Sequence, residues 1–460
     1  MVHAAAGVTA GARALAESLP ADPEHELVVA DVPAVSQIEV WKSFVAALPR
    51  GRRPVRVVPG QEPYEIAPYV WQWLADRSGR PVLAPYGRTA RVARSLFVHS
   101  AEHSGWVWFR RGVASAWQGK RFPQPVWDTI ELGQLRAAGF RGVAEPLPAG
   151  MWLRPDVGDG VLAADRTKLT RTLPCLPDAP MIVLGARNVP DLELADVAEF
   201  LRTLRPEVAA TARFVRFGGV ALPPGATFGQ ALADVLDAEV HCYAGIPAGA
   251  PDALEVLALR ADGSLGWNTF AQALAYRPRS AGPPRVCGYR QPIAGLGEVS
   301  PGVFWYAPEV VLEVVQAGLW IRPAAHVGDT AGVRATPLDP VHGLLLYEAT
   351  EPTWADRLRD VAENVLDRLD DTTRLAARLM PTTALSDAAL AGVTPRAVDR
   401  PTEVLRPPEQ PAPPREPVAE VPEPPETDLP WLSRLMETVA MPVPVRPADT
   451  QMGHSDDRAE

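Results

Sequence analysis

Apolar residues fall in short runs over most of the first 345 positions, and the runs are separated by amphipathic stretches. ELVVADV (26–32), PVRVVPG (54–60), PVLAPYG (81–87), MIVLGA (181–186), FVRFGG (214–219) and EVHCYAG (239–245) are six or seven residues long and rich in β-branched or small residues. They predict strands. SQIEVWKSFVAAL (36–48), YEIAPYVWQWLADRSG (64–79), ADVAEFLRTL (195–204) and FGQALADVLDA (228–238) place apolar residues at helical spacing and predict helices. Apolar strands alternating with amphipathic helices predict an α/β fold, with mostly parallel sheets covered on both faces.

The pattern occurs twice in the same order. Each copy reads β-α-β-α-β, then a hairpin-like part and a Trp-bearing strand. LFVHS with GWVWF (96–109) stands against LEVLAL with GWNTF (254–270), which aligns Trp106 with Trp267. The copies converge again at AGMWLRP (149–155) and AGLWIRP (317–323), each followed by VGD. The series predicts two tandem duplicated domains, 19–159 and 160–350, after an N-terminal helix or extension over 1–18. GVFWYAPEVVLEVVQ (302–316) is an additional apolar segment. A long helix is expected over 353–380, with Trp354, Leu358, Val361, Val365, Leu369, Leu375 and Leu379 on one face. This helical segment, 351–393, is expected to pack on the second domain; pairing with a partner helix is the alternative.

Composition changes the picture near the C-terminus. Many of the 50 prolines cluster late, as in RPPEQPAPPREPVAEVPEPPE (406–426). Such a stretch suits neither a helix interior nor a central strand, so 394–460 is expected to be a disordered, extended tail. Within it DLPWLSRLMETVAM (428–441) sets Trp431, Leu432, Leu435, Met436 and Val439 on one stripe, the pattern of a docking helix. The formal charge is −10 and no basic block occurs, which argues against nucleic acid or an anionic membrane as partner. No apolar run is long enough to span a bilayer, and the N-terminus lacks the layout of a cleaved signal. The expected location is the cytoplasm, or outside the cell by a route without such a signal. A protein partner is expected, and neither metal nor cofactor is.

Candidate chemistry is sparse. The three cysteines, Cys175, Cys242 and Cys287, show no metal-ligand or disulfide spacing. Cys242 adjoins His241, but neighbours on a strand point to opposite faces, so the two cannot form a dyad. A small core residue is the simpler reading of Cys242. His99 and His103 flank a turn without an evident third ligand. Asp159 and Asp329 of the VGD repeats suit turns. Arg56 and Arg216 stand in matched strands and can pair with carboxylates or with a ligand.

The repeat unit, with ATFGQALADVLDAEVHCYAG in one copy and WLADRSGRPVLAPYG in the other, resembles the caspase-like CHAT fold of actinobacterial polymorphic-toxin-like proteins, including the lonely-Cys repeats. The resemblance covers roughly residues 20–345. It implies a catalytic His at one strand end and a Cys at a later one. Those places are LGARN (184–188, with Ala186) and VADVP (29–33) for the His. They are FGGVALPPG (with Gly218 and Gly219) and VVPGQEPYE (with Pro59 and Gly60) for the nucleophile. Neither residue is present in either copy, although a cysteine peptidase needs both. The expectation is a pair of catalytically degenerate domains acting as a non-enzymatic scaffold. Two alternatives stand beside it. One is a divergent cysteine hydrolase using Cys242 or Cys287 with His99, His326 or His342. The other is a ligand- or peptide-binding module at the carboxyl ends of the strands.

Overall fold

The short apolar runs do form strands, and the strands assemble into three large sheets in chain order. In the computed structural model, residues 2–3, 7–32, 38–60, 66–92, 95–99, 104–325 and 330–385 are described. All belong to one unit, Met1–Ser386. The fold is mixed α/β, with ten α-helices among the described residues.

The first sheet lays Val2–His3, Glu26–Asp31, Val55–Pro59 and Val82–Tyr86 parallel, then adds Gly105–Arg110 and Val113–Gly119 antiparallel. The second has eight strands. Arg136–Ala138, Gly142–Leu147 and Gly150–Pro155 form an antiparallel meander. Gly150–Pro155 then runs parallel with Met181–Leu184, Arg213–Arg216 and Val240–Tyr243. Ala271–Tyr276 and Arg285–Tyr289 close the sheet antiparallel. The third repeats the beginning of the second: Glu298–Ser300, Val303–Ala307, Val310–Val315 and Gly318–Pro323 are antiparallel, and Gly343–Tyr347 and Ala377–Pro381 continue parallel to Gly318–Pro323.

Helices cover both faces of the second sheet. Asp159–Thr172 packs Leu162 and Leu169 against Met181, Val183 and Val215. Leu194–Arg202 and Phe228–Leu236 pack against the alternate residues Ile182, Leu184, Phe214 and Cys242. This alternation is why the central strand Met181–Leu184 is apolar throughout: its side chains on both faces leave water. Each large side chain buried there contributes about 2 kcal/mol.

Three expectations need correction. The boundary placed between 159 and 160 separates Gly150–Pro155 from Met181–Leu184, which are hydrogen-bonded neighbours in one sheet. Likewise, 350/351 separates Gly343–Tyr347 from its partner Ala377–Pro381. A repeat gives a period but not a phase, and the AGMWLRP and AGLWIRP strands open the next sheet instead of closing the previous one. The segment 302–316 is the antiparallel hairpin leading into that third sheet.

Second, the helix expected over 353–380 ends at Arg368. Asp370 caps a separate short helix, Asp371–Ala376, through its carboxylate to the Thr373 amide at 2.9 Å. The chain then becomes a strand, so Leu375 is 85% exposed and Leu379 belongs to a sheet. Third, Trp106 lies on Gly105–Arg110 opposite Pro85 in the main sheet. Trp267 lies on Leu265–Asn268, in a separate three-stranded sheet with Ile246–Ala250 and Ala253–Leu259. The two tryptophans are not equivalent. Trp152 and Trp320 are, because each stands opposite a glutamate, Glu145 or Glu313, in the same register.

Arg121, on the strand Arg121–Phe122 of a small sheet with Thr89–Val92 and Ser95–Val98, ties that sheet to the second. It is fully buried and pairs with Asp128. Its Nε donates to the Leu147 and Pro148 carbonyls at 3.1 and 2.9 Å, and its Nη2 donates to the Gly150 carbonyl at 2.7 Å.

Candidate functional site

Three places could hold chemistry: the strand ends, the cysteines, and a cavity between the small sheet of Thr89–Val92 and Ser95–Val98 and the second large sheet. The strand ends come first, because ligands in open α/β sheets bind there. In the second sheet they are filled by the protein's own backbone. A Cβ on Gly218 would overlap the Ala186 backbone, and one on Gly219 would overlap the Asp191 carboxylate. Just beyond, Leu192–Glu193 and Val220–Ala221 pair as a parallel two-stranded ribbon across the crevice. At Arg187, next to Ala186, the guanidinium is held by Asp165, with Nε donating at 2.8 Å. In the first sheet a Cβ on Gly60, which follows Pro59, would lie 3.0 Å from both the Ala12 Cβ and the Ala30 carbonyl oxygen. Asp31 there accepts from the Thr9 amide at 2.6 Å, just before the helix Ala10–Ser18. The residues at these strand ends are engaged in holding the fold.

The cysteines are separated. Cys242 is buried in the main core, and desolvation pushes its thiol far up. Burial likewise pushes the Cys175 thiol up to about 12. Neither carries a thiolate near neutrality. Cys287 differs: its Sγ lies 3.6 Å from Nδ1 of His241. The pair spans the strand Ala271–Tyr276, where Ala275 stands opposite His241 and leaves room for the contact. Glu239 approaches the other ring nitrogen of His241 at 3.6 Å and is itself held by Arg277 and Arg285.

The sequence paired Cys287 with His99, His326 or His342, so the partner here is a different residue. His241 and Cys287 are far apart in sequence, and only the strand order reveals them as neighbours. Desolvation raises the Cys287 thiol and lowers the His241 imidazole, with Arg213 and Arg285 lowering the latter further. Both shifts favour thiol with neutral imidazole over the thiolate–imidazolium form that a cysteine hydrolase uses.

His342 lies elsewhere, beside Asp339 at 3.3 Å in a turn. His326, His103, Asp329 and the stripe Trp431, Leu432, Leu435, Met436 and Val439 lie outside the described residues. Arg56 is buried and paired with Asp22 at 2.6 Å, stacked over Phe122. Arg216 is exposed, and its Nε only grazes the Gly218 carbonyl at 3.5 Å.

His99 lines a cavity. A space of about 310 Å³ is lined by Arg88, His99, Leu135, Glu145, Arg154, Asp159 and Arg166. Arg88 and His99 close the base of the hairpin Thr89–Val98, where the His99 amide donates to the Arg88 carbonyl at 2.8 Å. Across the cavity Glu145 accepts from Arg154 Nε at 2.9 Å and from Arg166 Nη2 at 3.1 Å.

No protein-family model, no curated protein and no solved structure matches this chain. Among the described residues no group of three or more His, Cys, Asp or Glu side chains is placed to hold a metal ion. No described helix is long and apolar enough to cross a membrane.

Proposed function

We propose that this chain is a non-enzymatic scaffold built from duplicated, catalytically degenerate caspase-like modules, with its Pro-rich tail serving as a tether. The observation that carries the reading is the backbone packing of Gly218 against Ala186, which leaves no volume for a nucleophile where the resemblance expects one. The succession of hairpin and parallel strands, repeated from the second sheet to the third, supports the duplication. So does the Glu145–Arg154–Arg166 cluster, which recurs as Glu313–Arg322–Arg334.

A protein partner is favoured by apolar side chains left in water. Among the described residues, Val126, Ile130 and Leu135 are exposed in the segment 123–135, and Phe140, in the turn after the strand Arg136–Ala138, is 89% exposed. Contiguous exposed apolar surface marks interaction sites.

The second reading, a cysteine hydrolase, now rests on Cys287 with His241. One experiment separates the two. The protein is incubated with a cysteine-directed electrophilic probe and a peptide library, beside its Cys287→Ala and His241→Ala variants. The scaffold reading expects no cleavage and no His241-dependent labelling. Cleavage lost in both variants would establish the hydrolase.

A further inference from the structure

The cavity that Arg88 and His99 form with the second sheet differs in charge from an ordinary surface cleft. Its wall holds three guanidinium groups, Arg88, Arg154 and Arg166, against two carboxylates, Glu145 and Asp159. Both carboxylates are already engaged. Glu145 is shared by Arg154 and Arg166, and Asp159 accepts from Arg166 Nη2 at 2.9 Å. No described residue pairs with the Arg88 guanidinium, so one positive charge is left over.

The third sheet provides an internal control. Glu313 binds Arg322 at 2.7 Å and Arg334 at 2.6 Å. This is the bonding of the Glu145 triad, so the triad belongs to the repeated framework. What the first cavity adds is Arg88 and His99. In the second copy the residue after the matching glycine, Gly245, is the buried apolar Ile246. Arg88 is therefore a local addition that the framework does not require.

We propose that this cavity binds a small oxyanion, a carboxylate or a phosphate, with Arg88 supplying the charge and His99 a ring N–H. A guanidinium fork matches either oxyanion in bidentate fashion. The volume is in the range of small-ligand pockets, and a single excess positive charge suits one anionic group. The surroundings of His99 agree. Desolvation lowers its imidazole, as do Arg88, Lys120 and Arg166, while Glu145 acts in the opposite direction. A bound anion would offset those cations and raise the imidazole again. The site is independent of the scaffold proposal, since a scaffold and an enzyme can both carry it.

The test follows the imidazole resonances of His99 and His342 by NMR in the full chain near pH 7. Inorganic phosphate, acetate and sodium chloride are added at matched ionic strength. The proposal expects a saturable change at His99 with phosphate or acetate, absent with chloride and absent at His342. It also expects affinity to fall about tenfold or more in Arg88→Gln. Saturation by one anion only assigns the class. A change that chloride reproduces, that His342 shares, or that Arg88→Gln leaves intact would overturn it. Arg279→Ala, at an exposed arginine far along the chain, checks that loss of charge alone does not produce the effect.

Discussion

The Lys120 ammonium donates to the His99 carbonyl at 3.0 Å and to the Ser104 hydroxyl, inside a fully buried site. Neither partner is a carboxylate. Desolvation first, then Arg121, lowers its pKa to about 7 from 10.5, with Asp128 opposing. Below about pH 7 both folded and unfolded chains hold the proton, and the fold bears the full cost of the buried charge. Between about 7 and 10.5 the unfolded chain binds more protons, so stability rises with pH. Lys120→Met is therefore expected to raise the urea midpoint at pH 6, with the gain shrinking toward pH 10. A gain that is constant across that range would contradict the assignment. Arg121 presents the opposite case, because its guanidinium satisfies a carboxylate and several carbonyls at once. Lysine cannot reproduce that fork. Arg121→Lys should cost about 3 kcal/mol in equilibrium unfolding, and a loss under about 1 kcal/mol would show the junction to be held otherwise.

At the scale of elements, the strand Ala377–Pro381 is the sharpest departure from the sequence pattern. It pairs with Gly343–Tyr347, and no described strand covers its other side. Hydrogen exchange should protect its inward-bonded amides while those of Leu375 and neighbours exchange faster. Uniform helical protection from 353 to 380 would contradict the strand. The parallel strands themselves were legible, because runs such as MIVL and LVVA are apolar on both faces. The Ala377–Pro381 strand was not, because Leu369, Leu375 and Leu379 continue a helical spacing by coincidence across the Asp370 cap. Sheet phase was hidden for another reason: AGMWLRP and AGLWIRP mark a period, whereas backbone pairing decides which sheet they join. The emptiness of the expected catalytic positions was readable from Gly218, Gly219 and Ala186. The Cys287–His241 contact and the His99 cavity were not, since each depends on which strands or sheets become neighbours.

For the whole molecule, the proposal is that the strand ends became structural and reactive chemistry was lost. Gly218→Cys offers one check. It should destabilise the fold by displacing the Ala186 backbone and should yield no peptide cleavage. Recovered cleavage there would mean an active-site geometry had persisted. The most direct measurement is the pH dependence of Cys287 alkylation by iodoacetamide, read peptide by peptide by mass spectrometry. Burial raises this thiol, so the scaffold account predicts a midpoint above the ordinary thiol value of about 8.5, unchanged by His241→Ala. A midpoint below about 7 that rises when His241 is removed would show an activated thiolate and contradict the account.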